Sequence, residues 1–243
     1  MDKQKNVLIT GASRGIGRAI ATRLTHDGYR VINLDKLAPP SLLKDEEFHQ
    51  IDITDSDALK TLLQEIMHRT KVLRLVNNAG IIKPGALEDV SMEDFDAVYA
   101  LNLKAPMVIT QQLAPQMRKA NFGRIVNIAS RAGLGKEERT AYSAMKAGLQ
   151  GMTRTWALEL AQFGITVNAI GPGPIATELF TSGNPPNAPK TIKIIENVPV
   201  KRMGQPEDIA HTAAYLLDDR TSFTTGQTLY VCGGITVGLS NAS

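Results

Sequence analysis

The chain contains one cysteine, Cys232, one tryptophan, Trp156, and only 5% aromatic residues among its 243. A lone cysteine cannot form an internal disulfide, so a disulfide-stapled fold is excluded and a reducing, cytoplasmic setting is expected. The four histidines, His26, His49, His68 and His211, are too scattered to form a ligand pattern, so no metal site is expected. Lysines and arginines form no run interleaved with aromatics, and the formal charge is only +3. Nucleic acid is therefore not an expected partner. Apolar runs are short as well. The first, Val7-Leu8-Ile9, falls far below a secretory h-region or a membrane span, so no membrane association is expected.

What is present is globular: 43% hydrophobic and 21% charged residues. A chain of this length buries roughly 70% of its unfolded surface, enough for a core without metals or disulfides. Strand-like segments fall at Asn6–Thr10, Arg30–Leu34, Phe48–Ile51, Val72–Asn77, Arg124–Ala129, Ile165–Ile170 and Thr228–Val231. Helical patterns separate them at Ile16–Asp27, Ser56–Arg69, Met92–Lys119, Ala141–Gln162 and Pro206–Leu217. This alternation predicts an α/β fold: a Rossmann-type doubly wound parallel sheet of about seven strands, with helices on both faces. No Ser/Gly-rich linker divides it, so one domain over residues 1–243 is expected. One long connection, Gly171 to about Gln205, includes Gly183-Asn184-Pro185-Pro186-Asn187-Ala188-Pro189 and reads as a loop at the carboxyl edge of the sheet.

The first strand enters Thr10-Gly11-Ala12-Ser13-Arg14-Gly15-Ile16-Gly17 and then a helix. Glycines at such a turn let the backbone approach a pyrophosphate resting on the helix N-terminus. An ordinary strand–helix turn has the same composition. The placement of Asp35 at the end of the second strand, about 20 residues on, favours dinucleotide binding. Its carboxylate suits the ribose hydroxyls of NAD and repels the 2′-phosphate of NADP by several kcal/mol before screening. Arg14 and Lys36 pull toward NADP. NAD is favoured, with NADP open.

Four further segments carry chemistry: Asn77-Asn78-Ala79-Gly80 after the fourth strand, Asn102, Ser130 just past the fifth strand, and Tyr142-Ser143-Ala144-Met145-Lys146 opening a long helix. A spacing of four puts Tyr142 and Lys146 on one helix face. Alone, that pair is equally a half-buried tyrosine beside a solvated lysine, and a helical asparagine such as Asn102 often serves local backbone.

Taken in order and spacing, these segments resemble the short-chain dehydrogenase/reductase superfamily across essentially the whole chain. The resemblance rests on Thr10-Gly11-x3-Gly15-x-Gly17, Asp52, Asn77-Asn78-Ala79-Gly80, Asn102, Ser130, Tyr142-x3-Lys146 and Pro172-Gly173-x-Ile175-x-Thr177. It implies that Gly11, Ser13, Arg14, Gly15, Ile16, Gly17 and Asp35 hold the dinucleotide. Asp52 and Ile53 would meet the adenine. Asn78, Ala79 and Gly80 would line the cofactor, and Pro172, Gly173, Ile175 and Thr177 its nicotinamide side. Two departures are visible: Gly171 stands where many members carry alanine or asparagine, and the Ser130–Tyr142 interval is one residue short.

The implied reaction is hydride transfer between a nicotinamide and a secondary alcohol or ketone. Forming phenolate at pH 7 costs about 4 kcal/mol, and a positive charge about 4 Å away returns a similar amount. Lys146 and the charge of oxidised nicotinamide would thus make Tyr142 a working acid/base, and Lys146 would also hold the nicotinamide ribose. Ser130 would bind and polarise the substrate oxygen. Asn102, by resemblance, would anchor a water in a proton relay. Resemblance also implies a homo-oligomer, tetramer or dimer, through the long helix with its small residues Ala141, Ala144, Ala147, Gly148 and Gly151. Two alternatives stay open: an NADPH-dependent 3-oxoacyl-carrier-protein reductase, and a catalytically idle dinucleotide-binding regulator. The small-molecule substrate is expected between Arg131–Arg139 and the 171–205 connection, where Leu134, Leu179 and Phe180 mix with Arg131, Lys136, Glu137, Glu138 and Arg139. Cys232 is expected to be packing rather than a nucleophile, and Trp156 to lie in core or interface.

Overall fold

The computed structural model describes residues 5–185 and 187–237. Pro186 and the side chain of Leu179, both assigned above to the substrate connection, lie outside the described residues. Seven parallel strands form one sheet: β1 (Lys5–Thr10), β2 (Tyr29–Asp35), β3 (Glu46–Gln50), β4 (Arg74–Asn77), β5 (Gly123–Ile128), β6 (Ile165–Pro172) and β7 (Thr228–Val231). Their order is β3-β2-β1-β4-β5-β6-β7. Strands β4, β5 and β6 are buried throughout, which is why they read as mainly apolar runs, interrupted by Asn127 and Asn168, rather than as regular alternations.

Helices α1 (Gly15–His26) and α8 (Pro206–Leu217) cover one face, packing Ile20, Leu24, Ile209 and Ala213 on Val7, Ile9 and Val126. The other face is covered by α2 (Ser56–Arg69), α4 (Ala105–Ala120) and α5 (Thr140–Leu160), through Leu59, Leu63, Ile109, Leu113 and Leu160. The chain leaves β1 toward β2 and β3, then returns to place β4 on β1's other side. The resulting crevice, between the carboxyl ends of β1 and β4, is where ligands bind in doubly wound sheets.

Two expectations are corrected. The single helix expected over Met92–Lys119 is broken into α3 (Met92–Tyr99), a widened π turn over Ala100–Lys104, and α4. Pro106 has no N–H to give the Asn102 carbonyl, and the Ala105 N–H reaches back five residues to the Ala100 carbonyl instead. The 171–205 connection is not structureless. β6 runs on to Pro172, and α6 (Glu178–Thr181) and α7 (Pro189–Glu196) follow. Pro189 opens α7, and Thr191 and Val198 are buried on one face with Ile194 and Ile195 half-buried between them. That spacing of 3, 4 and 7 was masked in the sequence by the preceding cluster of turn formers.

Candidate active site

The glycine turn is built by close backbone approach. Gly11 and Gly15 have φ of +69° and +53°, in the left-handed region that favours glycine. A Cβ at Gly17 would overlap the Gly11 carbonyl oxygen, and one at Gly11 would lie 3.1 Å from the Asn78 amide nitrogen. Asn78 secures this seam by donating to the carbonyls of Thr10 (2.9 Å) and Gly11 (3.0 Å). Arg14 occupies the N-cap of α1, and no side chain caps the helix, so its first N–H groups remain directed into the crevice. Those exposed donors, on a backbone with no room for a side chain, fit a pyrophosphate.

At the end of β2, the Asp35 carboxylate accepts from the backbone N–H of Ser13 (3.0 Å) and of Leu37 (3.0 Å). The two cations that pull toward NADP are engaged elsewhere. Lys36 sits 2.9 Å from Asp52, and Arg14, largely exposed, lies 3.6 Å from Glu178. Asp52 also accepts from the Thr54 hydroxyl (2.6 Å), and that bond together with Lys36 holds its carboxyl down to about 2. Ile53 is buried in the core beneath α2, and Ile16 packs partly against the core on the sheet's other face. Thr177 caps α6 and comes close to the glycine turn, its methyl 3.4 Å from where a Cβ on Gly15 would stand. Ile175 bridges to Gly204, and a Cβ on Gly173 would press on Cys232 at 2.7 Å. Cys232 itself is buried, its sulfur 3.1 Å from the Thr236 hydroxyl. The departure at Gly171 has a local cause: a Cβ there would run into the Tyr230 ring.

The second half of the site lies on β5, the π turn and α5. Tyr142 and Lys146 occupy successive turns of α5, with the lysine Nζ 5.6 Å from the tyrosine ring centroid. Burial raises the Tyr142 phenol above its ordinary value, while a hydrogen bond from Ser130 and the charge of Arg139 act the other way. Burial lowers Lys146 to about 8. Its ammonium donates to the Ile128 carbonyl (2.7 Å), and no carboxylate pairs with it among the described residues. Each group is thus held in an environment that disfavours its charge, the arrangement that brings a phenol and an amine into mutual dependence. Asn102 lies at the centre of the π turn, 1% exposed, exchanging hydrogen bonds with Ile81 through its Oδ1 and Nδ2 at 2.9 Å each. A Cβ on Gly80 would meet Asn102 Oδ1 at 3.2 Å and Lys146 Nζ at 3.5 Å, so only glycine fits comfortably between them. The structure therefore brings Asn102, Gly80, Ser130, Tyr142 and Lys146 together, beside the turn formed by Gly11–Gly17 and Asn78.

Sequence reasoning missed four supporting residues. Thr10 accepts through Oγ1 from the N–H groups of Asn78 and Ala79 (3.0 Å each) and joins β1 to β4. Asn33 accepts from Ala12 N–H (3.1 Å) and donates to the Ser13 hydroxyl (3.2 Å) and to Glu46 (3.0 Å). Glu46 is clamped in turn by Arg18 (2.7 Å) and the Leu43 N–H (2.8 Å). Gln150, two turns beyond Tyr142, donates to the Ser130 carbonyl (3.3 Å). Two of them left a signal: Thr10 opens the glycine motif quoted above, and Asn33 is a polar residue inside the apolar run Val31-Ile32-Asn33-Leu34.

Fold and site define a dinucleotide-binding α/β protein whose tyrosine–lysine pair faces the cofactor crevice. Comparison with known proteins narrows the class. A family model described as enoyl-(acyl carrier protein) reductase matches residues 11–236. The 3-oxoacyl-[acyl-carrier-protein] reductase FabG of Thermotoga maritima is 37% identical, over 96% of this chain and 98% of its own. The (2S)-[(R)-hydroxy(phenyl)methyl]succinyl-CoA dehydrogenase subunit BbsD of Thauera aromatica is 38% identical, over 93% of this chain and 94% of its own. Among solved structures, ElxO with NADP bound superposes with a TM-score of 0.90 at 29% identity, covering 96% of this chain and 98% of that one. The chain belongs to the short-chain dehydrogenase/reductase superfamily. It is an NAD(P)-dependent oxidoreductase that moves a hydride between a nicotinamide dinucleotide and an alcohol/carbonyl pair.

Proposed function

We propose that Tyr142 is the general acid/base of this reaction on a secondary alcohol and its ketone, with Lys146, Ser130 and Asn102 as its partners. The observation that carries the reading is the half-buried Tyr142 one turn from the buried Lys146 on α5, with Asn102 and Gly80 around the ammonium and Ser130 acting on the phenol. A bound dinucleotide supplies the hydride or accepts it. In oxidation, Ser130 holds the substrate hydroxyl and Tyr142 takes its proton; in reduction Tyr142 returns that proton to the carbonyl oxygen. A lysine charge about 5 Å from a phenolate offers it about 3 kcal/mol at an effective dielectric of ~20, most of the cost of ionising a free tyrosine at pH 7. Asn102, fixed by Ile81, carries a water that returns protons from Lys146 to solvent.

Asp35 favours NAD, since its carboxylate is already oriented by two backbone donors while Lys36 and Arg14 face Asp52 and Glu178. The NADP in ElxO and the reductase name of the Thermotoga relative support the opposite preference and, with it, a 3-oxoacyl reductase. Separate fluorescence titrations with NADH and NADPH decide between them: tighter NADH upholds the Asp35 argument, tighter NADPH the reductase alternative. Tyr142→Phe is expected to lower kcat by ~10³-fold or more with NAD(P)H affinity retained; turnover close to wild type would remove the assigned base. A homo-oligomer packed through α4 and α5 in a reducing compartment completes the reading. Exposed Met107 and Leu158, and Gly151 with open space before it, support that packing. No helix among the described residues is long and apolar enough to cross a membrane.

A further inference from the structure

Tyr142, Lys146 and Gln150 follow one another at intervals of four along α5 and so form a single stripe on its face. The proposed reaction uses the first two. Gln150 is 5% exposed, and a buried carboxamide destabilises the helix that carries it unless it is hydrogen-bonded. Its nitrogen donates to the Ser130 carbonyl (3.3 Å), and its oxygen accepts from the Tyr230 hydroxyl (3.4 Å). The direction of the amide follows from the first partner. A carbonyl can only accept, so Nε2 must face Ser130, and Oε1 is left for the hydroxyl.

Both ends of this link are fitted by glycine. A Cβ on Gly133 would lie 2.9 Å from Gln150 Nε2 and 3.2 Å from the Ala147 nitrogen, so the short helical turn Arg131–Leu134 rests directly on α5. A Cβ on Gly171 would lie 2.5 Å from Cδ1 of Tyr230, its register partner on β7. Glycine at that position lets the ring lie over β6 and its hydroxyl reach α5. Within the turn, the Ser130 carbonyl also accepts from Gly133 N–H (3.1 Å) and the Ser130 hydroxyl from Ala132 N–H (3.1 Å). The hydroxyl's own proton is thus left for the phenol or a substrate oxygen. Gln150 ties the carbonyl end of this serine to the helix that carries Tyr142 and Lys146.

We propose that Gln150, oriented by Tyr230, is a positioning residue for Ser130. It fastens the serine's backbone to α5, so that hydroxyl, phenol and ammonium share one frame. The inference rests on the reading of Ser130 and Tyr142 as the reacting edge. Without the amide the turn can shift on α5, and a displaced hydroxyl that must donate in the transition state costs rate more than affinity.

Two measurements test it, the first without a substrate. The Tyr142 phenol is titrated in the NAD(P)-loaded protein by ultraviolet difference against Tyr142→Phe. Ser130 favours the phenolate, so Ser130→Ala should move that titration to higher pH. Gln150→Leu should move it the same way and add nothing in the Ser130→Ala background. The second is steady-state reduction of acetoacetyl-CoA, ethyl 3-oxobutanoate and cyclohexanone by NAD(P)H. On any probe the wild type reduces, Gln150→Leu should lower kcat about tenfold, with KM and NAD(P)H affinity changed less than about twofold. Gln150→Glu is the sharper variant: its carboxylate accepts from Tyr230 but has no hydrogen for the Ser130 carbonyl until it is protonated. Its kcat relative to wild type should rise severalfold from about pH 8 to about pH 5.5, while that of Gln150→Leu stays flat. Tyr230→Phe should lower kcat about two- to threefold, and it carries both measurements should a Gln150 variant fail to bind NAD(P)H. An unmoved phenol or unchanged kcat in Gln150→Leu, losses additive with Ser130→Ala, or a flat Gln150→Glu ratio would overturn the proposal and leave Ser130 and Tyr142 their roles. A phenol unmoved by Ser130→Ala would sink the reading of the reacting edge itself.

Discussion

The two sides of the crevice are built differently. On the dinucleotide side polar groups are closed upon one another: Arg18 holds Glu46, Glu46 holds Asn33, and Asn33 holds Ala12 and the Ser13 hydroxyl. The Ser13 hydroxyl donates to the Leu37 carbonyl (2.6 Å) and its N–H to Asp35. On the substrate side Arg131, Lys136 and Lys190 have no carboxylate within ion-pairing distance among the described residues, and Leu134 is 62% exposed. A surface that binds one unchanging ligand gains by being satisfied and rigid beforehand, because little ordering is left to be done on binding.

The sharpest way to break the contrast is Gly17→Ala. Its methyl has no room beside the Gly11 carbonyl, and the turn must open; NAD(P)H affinity is expected to fall by ~100-fold or more. An intact affinity by fluorescence titration would mean that the turn is not the cofactor cradle. Next is a test on the catalytic lysine. Burial holds Lys146 near 8, below the ordinary value of about 10.4, so between those pH values the unfolded chain binds a proton that the native protein does not. Stability of the cofactor-free protein therefore rises with pH from about 8 toward 10, by on the order of 3 kcal/mol at most. Above 10 the raised Tyr142 reverses the trend, since the unfolded tyrosine ionises first. Urea unfolding at pH 7.5 and 9.5 should show the rise in wild type and not in Lys146→Met; identical slopes would place the lysine in solvent.

Two smaller effects sharpen the dinucleotide side. Asp35→Ala should move the NADH/NADPH affinity ratio about tenfold toward NADPH, and an unchanged ratio would show that this carboxylate does not face the ribose. Asn33→Leu strands the buried Ala12 N–H, a cost of about 1–3 kcal/mol. The expected outcome is a severalfold weaker cofactor Kd with kcat at saturating cofactor unchanged; a lowered kcat at unchanged Kd would move Asn33 to the substrate side.

Legibility followed the same divide. Gly11, Gly15, Gly17, Asp35, Tyr142 and Lys146 could be read because backbone turns and helix periodicity are local properties, expressed over a few residues. The inner strands were readable because a parallel sheet covered on both faces demands mostly apolar runs, whereas the polar edge strand β3 was read through Phe48 alone and so placed two residues late. The break at Asn102 was written in Pro106, four residues on, yet apolar periodicity across both helices concealed it. Helix α7 was hidden by its neighbours' turn chemistry, and the Glu46–Asn33 link joins two adjacent strands whose register no local pattern reveals.

The order of strands and helices, the glycine turn and the spacing of the tyrosine–lysine pair were determined by sequence alone, since each arises from short-range sterics and hydrophobic period. The tertiary structure decided which polar side chains are paired and which are left open. Arg18 and Arg131 are the same residue type, and neither's flanking residues state its fate. One meets a buried glutamate on β3, the other has no carboxylate within ion-pairing distance among the described residues, and only the packing of distant segments sets that difference.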